Sequence, residues 1–160
     1  MNGLNYSKQI SLAIGIWCTA LVAPPFLRLS GLPFLATMVE HFFSGICHQM
    51  DSHSLHLFGY KLGVCTRCTF IYVGFLAGSL LLPHVNLKFS LQGKTWLAIA
   101  AAPMIIDVAL NSFGIHQSNE LTRILTGGFF GIVSSFVLLP TLDEALSELF
   151  KFKNWTVTQS

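Results

Sequence analysis

Four long apolar runs dominate this sequence and limit what the chain can fold into. They cover residues 10–27, 68–87, 95–113 and 124–142, and the third run contains one charged residue, Asp107. A helix needs about 20 apolar residues to cross the hydrocarbon core of a bilayer, where no water satisfies an exposed backbone. The runs therefore predict an all-α, polytopic membrane helix bundle with about four transmembrane helices.

The composition also indicates a membrane protein. Apolar residues make up 52% of the chain and charged residues 10%, whereas soluble domains carry about 25% charged residues. The net charge is +2 without a basic cluster, so nucleic acid is not an expected partner. Lys8 before the first run imitates a signal peptide, but the run is long enough to span and lacks a good cleavage site. We expect one integral membrane domain over residues 1–160, with the lipid bilayer as its partner.

Two segments lie outside the four predicted spans. Residues 30–47 are apolar but carry Glu40 near their middle, so we expect an interfacial or re-entrant helix rather than a fifth span. The last helix is expected to end at Pro140, and the predicted membrane core covers residues 10–142. Residues 143–160 then predict an amphipathic C-terminal tail on the surface.

The distribution of basic residues predicts the topology. With four spans, both termini lie on the same side as the loop after the second run. That side carries most of the lysines, namely Lys8, Lys88, Lys94, Lys151 and Lys153. The positive-inside rule therefore predicts cytoplasmic termini and a cysteine-bearing loop on the non-cytoplasmic face.

Small residues recur on two of the predicted helices. Gly74 and Gly78 form a G-x-x-x-G pattern, and Gly127, Gly131 and Ser135 recur every four residues. Such stripes allow helices to approach closely in membranes. We expect them to pack against other helices of the same chain.

Three cysteines flank a polar loop before the second run. Cys47 is followed by His48, and Cys65 and Cys68 form a C-x-x-C motif where the run begins. Thiolates and imidazoles are the ligands that zinc prefers, and four such groups close a tetrahedral site. These four residues therefore predict a site for zinc or a similar transition metal, with His53 or His56 as alternatives to His48.

Thiol redox chemistry is an alternative interpretation of the same cysteines. A thiol at a helix N-terminus beside Arg67 would have a lowered pKa. A C-x-x-C motif entering a membrane helix also resembles the quinone-linked thiol oxidoreductases, which are similar in size and four-helix layout. Those proteins use a second cysteine pair, whereas the fourth cysteine here, Cys18, lies inside the first run. A purely structural staple and a non-catalytic subunit of a larger membrane assembly also stay open.

Asp107 and Arg123 form a second group of candidate functional residues. An ionisable residue in a membrane segment is costly, so it is normally paired and often functional. The last two helices, as antiparallel neighbours, would bring both residues to one depth near the cysteine loop. We expect Arg67, Tyr72 and Asn119 to join them in one polar pocket. The alternative is an ion pair that only holds two helices together.

The motifs occur in a characteristic order between residues 44 and 140. They are C-H-Q, C-x-R-C-x-x-x-Y-x-G, I-D and S-N-x-x-x-R-x-x-T-G. The matching residues are Cys47, His48, Gln49, Cys65, Arg67, Cys68, Tyr72, Gly74, Asp107, Ser118, Asn119, Arg123, Thr126 and Gly127. This order resembles a family of small prokaryotic membrane proteins classed only as a domain of unknown function.

The resemblance implies that these polar residues belong together, in a protein of a prokaryotic cell membrane. It implies no established activity. The sequence departs from the family pattern at two places: His53 stands where an arginine is frequent, and Phe70 stands where a glycine is usual. Neither departure removes a candidate ligand.

Overall fold

The computed structural model of the chain describes residues 3–82, 93–114 and 119–158. This part contains five helices and a two-stranded antiparallel hairpin. The helices are α1 (Gly3–Leu29), α2 (Pro33–Ser44), α3 (Thr66–Leu81), α4 (Gly93–Ser112) and α5 (Glu120–Thr158). A 3₁₀ turn (Asp51–His53) and the strands β1 (His56–Leu57) and β2 (Tyr60–Lys61) lie between α2 and α3. The predicted all-α membrane bundle is confirmed.

Three helices within the described ranges are long and apolar enough to cross a membrane. The candidate spans are Lys8–Leu29, Thr95–Ser112 and Glu120–Leu142. The helix α3, which corresponds to the second predicted span, has 16 residues, which is about 24 Å of helix against a hydrocarbon core of about 30 Å. Large apolar side chains such as Leu12 (67% exposed) face outward, as lipid-facing side chains do.

The short helix α2 fits the interfacial or re-entrant helix predicted for residues 30–47. It has 12 residues, which is about 18 Å and too short to cross a bilayer. Pro33 is the first residue of the helix, a position where the backbone N–H would not be hydrogen-bonded within the helix, so proline is tolerated there. Arg28 at the end of α1 donates to both carboxylate oxygens of Glu40, at 3.0 and 2.8 Å. This ion pair, which the sequence did not reveal, fixes α2 against α1.

A seam of small residues joins α3 to α5. A Cβ atom on Gly127 would lie 2.7 Å from the carbonyl oxygen of Arg67, and one on Gly78 would meet the Ser135 hydroxyl. Since the starts of both helices meet and their later turns also meet, α3 and α5 run parallel. The predicted packing of the two glycine stripes within one chain is confirmed.

The helices α1 and α4 run antiparallel to α3. Leu21, in the second half of α1, lies beside Gly63, just before α3. Asp107, in the last turns of α4, pairs with Arg67 in the first turn of α3. The ends of α1 and α4 and the starts of α3 and α5 therefore meet at one end of the bundle, together with α2 and the loop that carries the cysteines.

The last helix does not end at Pro140, so that prediction is wrong. α5 continues through this proline to Thr158. Proline keeps a helical φ, and membrane helices tolerate it when neighbouring groups take over the freed carbonyl. Residues 143–158 are thus an extension of α5, while their amphipathic character and the single-domain organisation stay predictions. The loop predicted after the second span covers residues 84–94, and residues 83–92 lie outside the described residues.

The buried core of this end of the bundle contains a cysteine. Leu21, Phe43, Cys47 and Val64 form one buried cluster. Trp17 packs on it, with its ring 5.2 Å from the Phe43 ring in a T-shaped contact. Aromatic pairs in this geometry stabilise beyond the area they bury. α1, α2 and the start of α3 are therefore held together around Cys47.

We expect Gly131→Ala to separate α3 from α5. A Cβ atom at this position would meet the carbonyl oxygen of Ile71 and lie 2.9 Å from the amide nitrogen of Phe75. Overpacking of this kind costs roughly 1–3 kcal/mol. Thermal unfolding of the detergent-purified protein, followed by circular dichroism, would show a lower midpoint.

Gly128→Ala is the matched control for this experiment. A Cβ atom at Gly128 would meet no atom of another described element within 4 Å, and alanine favours a helix over glycine by about 1 kcal/mol. We expect this variant to unfold at the wild-type temperature or above. Equal destabilisation of both variants would contradict the close α3–α5 packing.

Candidate functional site

Three of the four predicted metal ligands converge in the structure. The Sγ atoms of Cys47, Cys65 and Cys68 all lie within 4.8 Å of one another. Cys47 is buried and the other two are partly buried. All three are free thiols. Two chain segments separated by a 17-residue interval in the sequence thus bring their sulfur atoms to one point.

The local backbone explains why the thiols of the C-x-x-C motif face one way. Cys65 is the N-cap of α3, in extended conformation, and Cys68 is the third residue of the helix. Side chains at these two positions lie on the same side of a helix start, as in a capping box. The Cys47 sulfur accepts hydrogen bonds from the backbone N–H of Cys65 at 3.3 Å and of Gln49 at 3.5 Å.

Gln49 fixes the loop that carries the cysteines. Its φ is 48°, a left-handed conformation that is uncommon for residues other than glycine. Its side-chain Nε2 donates to the carbonyl oxygens of Glu40 at 2.6 Å and Gly63 at 2.7 Å. The side-chain amide of Gln49 therefore connects α2 to the segment that leads into Cys65. The sequence marked Gln49 only as a member of the C-H-Q motif and gave no signal for these bonds.

A cavity of about 220 Å³ adjoins the three sulfur atoms. It is lined by Ile46, Cys47, His48, Gln49, Met50, His53, Cys65, Arg67 and Cys68. His48 is exposed and lies at this cavity, but its ring nitrogens are not part of the group formed by the three sulfur atoms. The structure thus brings the predicted fourth ligand beside the cluster and not into it.

The arginine of the C-x-R-C motif reaches into the bundle. Its Nη2 donates to a carboxylate oxygen of Asp107 on α4, and the Arg67 and Asp107 side chains are only 20% and 9% exposed. The Nε of Arg67 is buried and has no hydrogen-bond partner among the residues that the structure describes. Arg123, near the start of α5, is also buried. The sequence suggested Arg123 as the partner of Asp107, and the structure adds Arg67.

The other two residues predicted for the polar pocket have different surroundings. Tyr72 is partly buried and packs on the cluster around Cys47, with its ring 6.0 Å from the Trp17 ring. Asn119 is exposed. Its carbonyl oxygen accepts the backbone N–H of Arg123 at 3.2 Å, which begins the hydrogen bonding of α5. Neither residue lines the cavity beside the cysteines.

The electrostatics of the site favour a thiolate and a neutral imidazole. Hydrogen bonds from the thiols of Cys65 and then Cys68 lower the pKa of Cys47. Partial burial lowers the pKa of His53, and the positive charges of Arg123 and Arg67 lower it further. His53 is therefore neutral at pH 7. A cluster of soft sulfur donors beside a neutral imidazole can bind a transition metal or undergo thiol–disulfide exchange.

Comparison with known proteins identifies relatives of uncharacterised function. Residues 47–137 match the family described as predicted membrane protein (DUF2085). An uncharacterised protein of Methanocaldococcus jannaschii is 34% identical over 120 residues, which cover 74% of this chain and 77% of that protein. One from Methanothermobacter thermautotrophicus is 28% identical over 85 residues, covering 53% of this chain and 77% of that protein. No solved structure matches the chain. The chain therefore belongs to the DUF2085 family of predicted membrane proteins.

Proposed function

We propose that this membrane protein binds a zinc-like ion through the thiolates of Cys47, Cys65 and Cys68. The observation that carries the proposal is the convergence of three thiols from two separate segments within 4.8 Å. Thiolates are the softest ligands a protein offers to zinc. Cys47 lies in a loop fixed by Gln49, and Cys65 and Cys68 lie at the start of α3, so the placement of all three supports a dedicated site.

The spacing of the sulfur atoms supports a tetrahedral ion. With Zn–S bonds of about 2.3 Å, two thiolates at tetrahedral positions lie about 3.8 Å apart. The three thiols are within 4.8 Å of one another. Closing onto an ion therefore needs movements of about 1 Å, which rotation of the cysteine side chains supplies.

Charge supports a neutral fourth ligand. A divalent ion with three thiolates carries one negative charge in total. The largely buried side chains of Arg67, Arg123 and Asp107 together carry one positive charge. A neutral group in the fourth position leaves this region uncharged, which matters because net charge is costly within a membrane. The imidazole of His48, as the sequence predicts, is such a group, and a water molecule is another.

The surroundings suggest how the site is used. Asp107, Asn119 and Arg123 would brace the polar region next to the ion, on the non-cytoplasmic face that the lysine distribution predicts. If His48 binds directly, the closed four-ligand shell makes the ion structural. If water takes the fourth position, the ion would polarise a substrate or the water itself.

Metal analysis of cysteine variants tests the proposal. We expect detergent-purified wild-type protein to carry about one zinc ion per chain, since three convergent thiolates form one site. Cys47→Ser, Cys65→Ser and Cys68→Ser should each lose most of it. Cys18→Ser is the matched control, because Cys18 lies on α1 and is not part of the cluster, and we expect it to retain the metal. Elemental analysis beside free-thiol counting provides both readouts.

A different result would support the redox alternative. Protein without metal, in which two thiols stay blocked until a reductant is added, would contradict the metal site. Cys65 and Cys68 would then be a redox pair, and the next measurement would be the change in their thiol content on adding a quinone.

The role of His48 in the site is testable separately. We expect His48→Ala to keep the metal but to bind it about 10- to 100-fold more weakly, since three thiolates remain and water replaces one ligand. Competition with a chromophoric chelator measures this affinity. His56→Ala is the control, because His56 pairs with the exposed Asp51 at 3.2 Å on the hairpin side of the loop. An unchanged affinity in His48→Ala would mean that His48 is not the fourth ligand.

A further inference from the structure

A proline in α1 leaves one backbone carbonyl without its usual partner. In an α-helix the carbonyl of Leu21 accepts the N–H of residue 25, but that residue is Pro25, which has no N–H. This carbonyl lies in a candidate membrane span, where water cannot replace the missing donor. The structure supplies another donor: the backbone N–H of Gly63 bonds the Leu21 oxygen at 2.9 Å.

Gly63 can reach this carbonyl because it has no side chain. A Cβ atom on it would lie 3.0 Å from the Leu21 oxygen and 3.3 Å from the Phe43 ring. Its own carbonyl accepts the side-chain amide of Gln49 at 2.7 Å. Both backbone polar groups of Gly63 are therefore used, one by α1 and one by the cysteine loop.

This hydrogen bond fixes the chain two residues before Cys65. The backbone N–H of Cys65 in turn donates to the Cys47 sulfur at 3.3 Å. We infer that Pro25 is a positioning residue for the cysteine site: by leaving the Leu21 carbonyl open, it docks Gly63 on α1 and so sets Cys65 against Cys47. The inference rests on the proposed function, because metal binding is what this placement serves.

Cobalt(II) binding to Pro25→Ala tests the inference. Alanine restores a backbone N–H at position 25 of α1. This N–H would hydrogen-bond the Leu21 carbonyl, so that the carbonyl no longer needs Gly63 as its donor. We expect unchanged helix content by circular dichroism. We also expect cobalt affinity to fall about 10- to 100-fold, the usual effect of losing support behind a ligand, with altered thiolate-to-cobalt absorption bands. A purely structural role of the proline would change thermal stability and leave the bands of the bound ion as in the wild type.

Pro103→Ala is the matched control, because Pro103 is an exposed proline inside α4, and we expect wild-type affinity and bands. If Pro25→Ala does not fold, Gly63→Val is the deciding variant. The valine side chain would break the same hydrogen bond between residue 63 and the Leu21 carbonyl, by moving the donor instead of the acceptor. Wild-type affinity and bands in the deciding variant would overturn the inference. Wild-type protein without thiolate-to-cobalt bands would instead refute the proposed metal site.

Discussion

The close approach of the α3 and α5 backbones determines where most of the functional side chains lie. Glycines on both helices have no side chain to keep the backbones apart, so the carbonyl of Arg67 packs directly on Gly127. The turn that holds Cys65 and Cys68 is thereby set at the start of α5, where Arg123 is buried. Apolar association gives no driving force between helices in lipid, so this contact depends on dispersion between closely packed atoms. One added methyl group at the wrong position would displace several elements together.

Part of this arrangement is readable in the sequence. The apolar runs predict the helices because their length and lack of charge admit few alternatives in a bilayer. The C-x-x-C spacing and the preceding Cys47 predict the cluster because zinc chemistry restricts ligand type and number. Both predictions, of the helices and of the cysteine cluster, depend only on which residues occur at which positions, and a single sequence contains that information.

The contacts that hold the site in place are not readable in the same way. The partner of Arg67 depends on how α4 is rotated toward α3, which sequence spacing leaves open. The bonds of Gln49 end on backbone carbonyls, and every residue offers one, so no residue type marks the acceptors. The helix α5 continues through Pro140 although proline tends to end a helix, and this tendency was the only local signal that the sequence offered.

The start of α3, which carries Cys65 and Cys68, lies partway along the neighbouring helices. The contact between Arg67 and Asp107 lies five residues before the last residue of α4, which is about 7.5 Å along the helix axis. The contact between Gly63 and Leu21 lies eight residues before the last residue of α1, which is about 12 Å along the helix axis. The start of α3 therefore lies below the ends of both neighbouring helices, and α3 is shorter than either of them. An ion held at this depth would be flanked by the last turns of α1 and α4, which would slow its exchange with solution.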